Sequence, residues 1–212
     1  MKKYIYLMIV PFLAGICCLS GCQDEYFFDG GTSDGALNTS TYDFLVSRPR
    51  PFDTLLWVVD RNNLKDQLNQ ANSTFFVPQD GSIKLFLGQL ELDPFPKSLE
   101  DLPVSVVDTL GLLLKKYMIT EKIMRADIPE VGNQEFTNAN SELVNVFFQN
   151  NPRGGIPGFG PKILSYSVPV KVINPFTGIE EEQTRFGIIS TSDLESTNGA
   201  VHVMAAGHIF GF

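Results

Sequence analysis

The chain has 212 residues, with 24 acidic against 16 basic side chains, two histidines, three cysteines and a formal net charge of −8. That length holds one domain with a sizeable core and hardly two. The acidic balance leaves no basic footprint, which excludes nucleic acid as a partner and electrostatic adsorption to anionic lipid.

Lys2 and Lys3 precede an apolar run from Tyr4 to Leu19, which has the charge and length of a secretory hydrophobic region. A spanning helix needs about 20 apolar residues, and Pro11 and Gly15 argue further against one. The run ends Leu19-Ser20-Gly21-Cys22, which resembles a bacterial lipobox. Small residues before the cysteine let the signal peptidase grip an extended chain, and the thiol then carries the lipid. Residues 1–21 are therefore expected to be a lipoprotein signal peptide, with Cys22 the lipidated N-terminus. Several acyl chains make a stable membrane anchor, each buried methylene contributing about 0.8 kcal/mol. Cys17 and Cys18 leave with the signal, so the mature chain is expected to have no disulfide framework, thiol nucleophile or thiolate metal site. Gln23-Asp24-Glu25 resembles the acidic tag that sends some Gram-negative lipoproteins to the outer leaflet, and equally fits a solvated linker. Residues 22–40 mix Gly, Asp, Ser and Thr with no apolar period and read as a flexible tether. Tyr26, Phe27 and Phe28 within it fit docking on the domain or a place near the membrane interface.

Ser40 or Thr41 caps a short helix carrying Tyr42, Phe44 and Leu45, ended by Pro49. Pro51 starts a longer helix with Phe52, Leu55, Leu56 and Val59 at helical spacing and Trp57 in its apolar stripe. Leu64 and Leu68 continue that side after a break at Asn62-Asn63. Ser73 to Val77 reads as a short buried strand stopped by Pro78, and Gln79 to Ser82 turns into a helix around Ile83, Phe86 and Leu87. After an irregular stretch from Leu92 to Pro96, Val104, Val107, Leu110, Leu113, Leu114 and Tyr117 form an amphipathic stripe. From Asp127 onward strands dominate: Leu143 to Phe148, Ile163 to Ile173 with a bend at Pro169, Phe186 to Ser190, and Ala200 to Met204. Two loops, Asn150 to Pro161 and Asn174 to Glu182, lie between them. The last two strands flank a polar turn holding Asn198-Gly199, residue types that tolerate the positive φ of a tight reversal. Neither face of Ala200 to Met204 is polar, so it reads as a central strand covered on both sides. Helices first and a mainly antiparallel sheet afterwards make an α+β domain over residues 41–212.

Four stretches in order carry a family resemblance. These are T-Y-D-F-L with F-D-T-L-L-W-V-V-D-R-N-N-L near the start, T-F-F-V-P-Q-D at Thr74 to Asp80, L-L-L-K-K-Y-M-I at Leu112 to Ile119, and N-G-A-V-H-V-M at Asn198 to Met204. Together they resemble the fasciclin domain, as found in bacterial fasciclin-like lipoproteins. The resemblance implies a wedge-shaped β-sandwich with N-terminal helices packed beside it, serving extracellular adhesion or ligand binding without catalysis. Met118 stands where the family often has histidine, and the chain closes I-F-G-F without the usual leucine-proline.

His202 carries either a metal-ligand or general-base role, or a buried imidazole hydrogen-bonded within the core, and its apolar strand neighbours favour the second. His208 lies close by, but Gly207 interrupts the strand between them. Two histidines without cysteine leave no metal site and no cofactor expected. Ser190, Ser192, Asp193 and His202 hold the letters of a hydrolase triad without a G-x-S-x-G elbow, so no catalytic residue is assigned. Glycines 154, 155, 158 and 160 are broken up by prolines and form no P-loop. Arg153, Ile156 and Phe159 on that exposed loop are the expected contact residues. Tyr117 corresponds to the family tyrosine linked with adhesion, although its place on the apolar stripe favours core packing. Glu180-Glu181-Glu182 reads as a solvated hairpin tip. Asn198, Gly199 and His202 form the structural motif of the final hairpin. The expectation is a lipid-anchored outer-membrane protein exposed at the cell surface. It would bind surface polysaccharide or host matrix, or alternatively serve as an accessory lipoprotein of an outer-membrane transporter for glycan or nutrient uptake.

Overall fold

The computed structural model of the chain describes residues 35–94, 96–150 and 162–211. The compact unit begins at Ala36, before the expected boundary at Thr41. Ala36 pairs with Glu195 in a parallel bridge, Leu37 N–H donates to the Glu195 carbonyl at 2.8 Å, and Thr197 N–H donates to the Thr39 carbonyl at 2.9 Å. The expected signal peptide, Cys22 and most of the expected tether lie outside the described residues.

Among the described residues five α-helices come from the first half of the unit: α1 (Thr41–Val46), α2 (Pro49–Arg61), α3 (Lys65–Leu68), α4 (Asp80–Gly88) and α5 (Val104–Lys115). Ser40 caps α1 by accepting from the Asp43 N–H. Helix α2 starts at Pro49 and not Pro51, because a proline at the first helical position loses nothing by lacking an N–H. Asn63 takes a φ of 54° and so breaks α2 from α3. Val104 opens α5 but is 74 % exposed, so the stripe of that helix begins at Val107.

Seven strands follow the order β2-β1-β7-β6-β5-β4-β3: β1 (Ser73–Val77), β2 (Met118–Ile119), β3 (Asn133–Thr137), β4 (Leu143–Asn150), β5 (Lys162–Ile173), β6 (Glu180–Glu195) and β7 (Gly199–Met204). Among the described strands only β1 and β7 pair in parallel, with Ser73 opposite Gly199 and Val77 opposite Val203. Strand β3 has no counterpart in the sequence reading because Phe136 is its only buried residue. Strand β6 is far longer than expected. It starts at Glu180, so Glu180-Glu181-Glu182 lies on a strand paired with Ile173, Val172 and Lys171 instead of at a hairpin tip. At its other end it continues through Thr191 to Glu195, with register shifts on either side of Thr191. Asp193 takes a φ of 61° within that bulged stretch, and such bulges bend a strand.

Pro169 sits inside β5 without breaking the ladder. It lies opposite Thr184, while pairing with β4 stops at Ser167. Ile188 accepts from Ala205 N–H on the far edge of β6, so by antiparallel alternation Pro169 turns its missing donor toward the edge β4 has already left.

In a flat sheet β1 and β5 would lie about 14 Å apart. Yet the rings of Phe76 and Tyr166 stack at 4.5 Å, so the sheet coils around its core. Side chains from the helices and strands form one buried cluster. At its centre Phe76 stacks on Tyr166 and on His202, the latter at 5.2 Å. Replacing Phe76 with Ala removes the middle of this stack and should cost about 3–5 kcal/mol. A denaturant titration checks this; an unchanged midpoint would mean the coil does not depend on the stack.

Candidate functional site

Asn198 and Gly199 fill their positions for reasons other than turn geometry. Neither is among the described residues with positive φ. A Cβ on Gly199 would collide with the backbone oxygen of Ser73, so glycine is what lets β7 approach β1. Asn198 ties three segments with one side chain. Its Oδ1 accepts from Thr41 N–H at 2.8 Å, and its Nδ2 donates to Thr41 Oγ1 at 3.1 Å and to the Leu68 carbonyl at 3.3 Å. Its own carbonyl accepts from Asn72 N–H at 2.7 Å. The first amides of a helix have no partner within it. In α1 they are taken by Asn198 at Thr41, by Asn69 Oδ1 at Tyr42 and by Ser40 Oγ at Asp43. Ser196 joins the clasp, its Oγ 2.9 Å from Thr41 Oγ1.

His202 is fully buried on β7. The Asp193 N–H donates to its Nδ1 at 3.2 Å. An amide can only donate, so Nδ1 accepts and the ring proton sits on Nε2, which donates to the Ile123 carbonyl at 2.8 Å. Both nitrogens of a neutral imidazole are thereby used, and burial holds its pKa below the ordinary histidine range. Two of the other letters of a triad, Ser190 and Asp193, are bonded to backbone. Ser190 Oγ donates to the Val203 carbonyl at 3.1 Å, and Asp193 Oδ1 accepts from Arg125 N–H at 2.6 Å.

His208 bonds a different partner, so the two histidines are not brought together. Its Nε2 lies 2.7 Å from Tyr117 Oη, which also accepts from Gly211 N–H at 2.9 Å. Tyr117 itself is fully buried, stacked 5.6 Å from Phe210 at an interplanar angle of 7°. It therefore presents no surface to a partner, and of the two roles weighed for it, adhesion and core packing, the structure shows the second: the apolar stripe of α5 delivers it to the core. Burial raises its phenol pKa and pushes the His208 imidazole down to about 4. Met118 is buried on β2 opposite Phe75, where a thioether fills apolar space with no polar partner to satisfy.

The sequence reading missed an apolar cavity of about 450 Å³ between the Thr184 to Ile188 stretch of β6 and the Ala205 to Ile209 segment. Phe186, Ile188 and Ile209 on its rim are exposed, and His208 forms part of its wall. Gly187 lies flat there because a Cβ would meet Met204 and His208. Phe186 and Ile188 alternate with Gly187 and so were legible as one strand face. Their exposure was not, since it depends on where the chain turns after β7. Beyond the cavity, β5 and β6 run out as an arm whose turn exposes Ile173, Phe176 and Ile179. The expected contact residues Arg153, Ile156 and Phe159 lie outside the described residues, as does Cys22.

Two outcomes follow from this geometry. Gly199→Ala forces a methyl against ladder backbone that cannot swing aside, and should cost about 3 kcal/mol in a denaturant titration; a cost near zero would contradict the close approach. The unfolded chain takes up a proton on His208 below about pH 6.5, while the folded form resists until about 4. The stability this residue contributes is therefore complete above the unfolded pKa and lost as pH falls through that window, by about 3 kcal/mol. His208→Asn should flatten that part of the pH–stability profile, leaving the similarly directed contribution of His202. An equally steep profile in the variant would show that His208 is not the titrating group.

A protein-family model described as Fasciclin domain matches residues 50–206. No curated protein matches the chain. Among solved structures, a FAS1 domain pair from the insect cell adhesion molecule Fasciclin I is similar over 76% of this chain and 45% of that one, with 11% sequence identity and a TM-score of 0.48. The chain thus spans less than half the length of that domain pair. The family match takes in α2 through β7, including the stretch around β1, the end of α5 and the final hairpin, and on that match the chain belongs to the fasciclin domain family.

Proposed function

We propose that the chain is a lipid-anchored, surface-exposed module that acts by adhesion or by binding an extracellular ligand, and performs no chemistry of its own. Membership of the fasciclin family over residues 50–206 carries this reading. The commitment of its polar groups supports it: the His202 nitrogens, Asp193 and Ser190 are all spent on backbone partners. The coiled sheet, with helices contributing to the same core, supports an α+β fold of the kind the family resemblance implies, whose wedge-shaped sandwich remains part of the proposal. Surface polysaccharide or host matrix is the ligand class proposed, presented to a domain held at the outer membrane through the lipid on Cys22.

Three measurements test it. Cells making the full-length chain should retain immobilised matrix protein or polysaccharide severalfold better than cells lacking it. Crosslinking from intact cells that recovers a stoichiometric outer-membrane transporter would replace adhesion with the uptake-accessory role. Alkyne-palmitate fed to producing cells should label the protein and fail to label Cys22→Ser, which should leave the membrane fraction. Label retained in the variant would remove the anchor from the proposal.

A further inference from the structure

Strand β6 has a long open edge. It pairs with β5 from Glu180 to Ile188, but with β7 only from Ile189 to Glu195. Along Glu180 to Gly187 the β7 side therefore has no neighbouring strand among the described residues. The carbonyl of Ile188 accepts from Ala205 N–H at 2.8 Å on that side. By the alternation of an antiparallel strand, the amides and carbonyls of Glu182, Thr184 and Phe186 face the same way. The cavity lies along this edge, where β7 would have continued had the chain not turned at Ala205. An unpaired edge beside an apolar cavity is the arrangement that accepts an added strand.

The charges of the edge name the occupant. We propose that a second copy of this chain pairs with it, β6 against β6, antiparallel about a two-fold axis at Gln183. A two-fold axis perpendicular to the sheet keeps each residue on its own face, so one residue must lie opposite its own copy. With Glu182 or Arg185 at that position, identical charges face one another, which is unfavourable. With Thr184 there, Arg185 meets only a glutamine. With Gln183 there, Glu181 lies opposite the partner's Arg185 and Arg185 opposite the partner's Glu181, so two opposite-charge pairs form at once. Arg185 makes no ion pair among the described residues, whereas Glu180 already has Lys171 at 2.7 Å. The same register sets the exposed Ile179 of one copy opposite Gly187 of the other, a residue that borders the apolar cavity. The charge pattern thus selects this register, which also brings Ile179 alongside the cavity. Pairing of copies stands apart from adhesion, since a chain that binds nothing outside the cell can still pair.

The test places the photo-crosslinker p-benzoylphenylalanine at Gln183 in the full-length chain in producing cells, with a control at Glu135 on β3. Illumination should give a product of twice the chain's mass from position 183 that contains only this chain, and little from position 135. Arg185→Glu should lower that yield about tenfold, because both pairs become repulsive. The reciprocal double variant Glu181→Arg/Arg185→Glu should restore it, which a mere folding defect would not allow. No dimer product, a product with a different protein, equal yield from position 135, or a yield indifferent to the charge reversal would each overturn the proposal.

Discussion

The contact on which the rest of the fold depends is the close parallel approach of β7 to β1 at Gly199. Strands distant in sequence meet there with backbone against backbone, and only a residue without a side chain fits beside Ser73. Asn198 converts that approach into a junction. Its amide supplies the missing acceptor at the start of α1 and a donor to the end of α3, so the first helix, the entry to β1 and the last hairpin are set relative to one another. The Thr41–Ser196 contact adds a second hydroxyl pair to the same junction. Each bond contributes only about 1 kcal/mol net, but leaving these buried groups unpaired would cost more than the bonds give.

Behind the junction, among the described residues, the core holds four buried rings that carry a polar atom, Tyr117, Tyr166, His202 and His208. His202, Phe76 and Tyr166 stack across three strands, and Tyr117 continues the series toward Phe210. Every polar tip is led to a specific backbone group or to another tip: His202 to Ile123 and Asp193, Tyr166 to the Lys116 carbonyl, Tyr117 to Gly211 and His208. Because burial disfavours charge, both imidazoles stay neutral where an exposed histidine would take a proton. Residues that look like reagents in the sequence are therefore structural here, while the open surface lies on β6, whose sequence advertises no chemistry.

Much of this was legible in the sequence because it is local. Apolar spacing placed the helices, Ser40 marked the start of α1, and Pro78 marked the end of β1. The final hairpin was found through Asn198-Gly199, although for the wrong physical reason: the pair is needed for long-range packing and not for positive φ. What stayed hidden depends on distant neighbours. Strand β3 is polar on nearly every residue and exists because β4 pairs with it. The glutamates of β6 look like a turn until β5 is laid beside them. Tyr117 and His208 stand far apart in the chain, and no spacing rule links them.

The clasp at the beginning of the unit also fixes how the domain meets a pull. Tension arriving from the residues before Ala36 loads, in turn, the Leu37–Glu195 and Thr39–Thr197 backbone bonds and then the grip of Asn198 on Thr41. All three are made to the β6–β7 hairpin and its turn, and all lie at or before the first residue of α1. Mechanical load is therefore handed to the β6–β7 hairpin before α1 can begin to unwind.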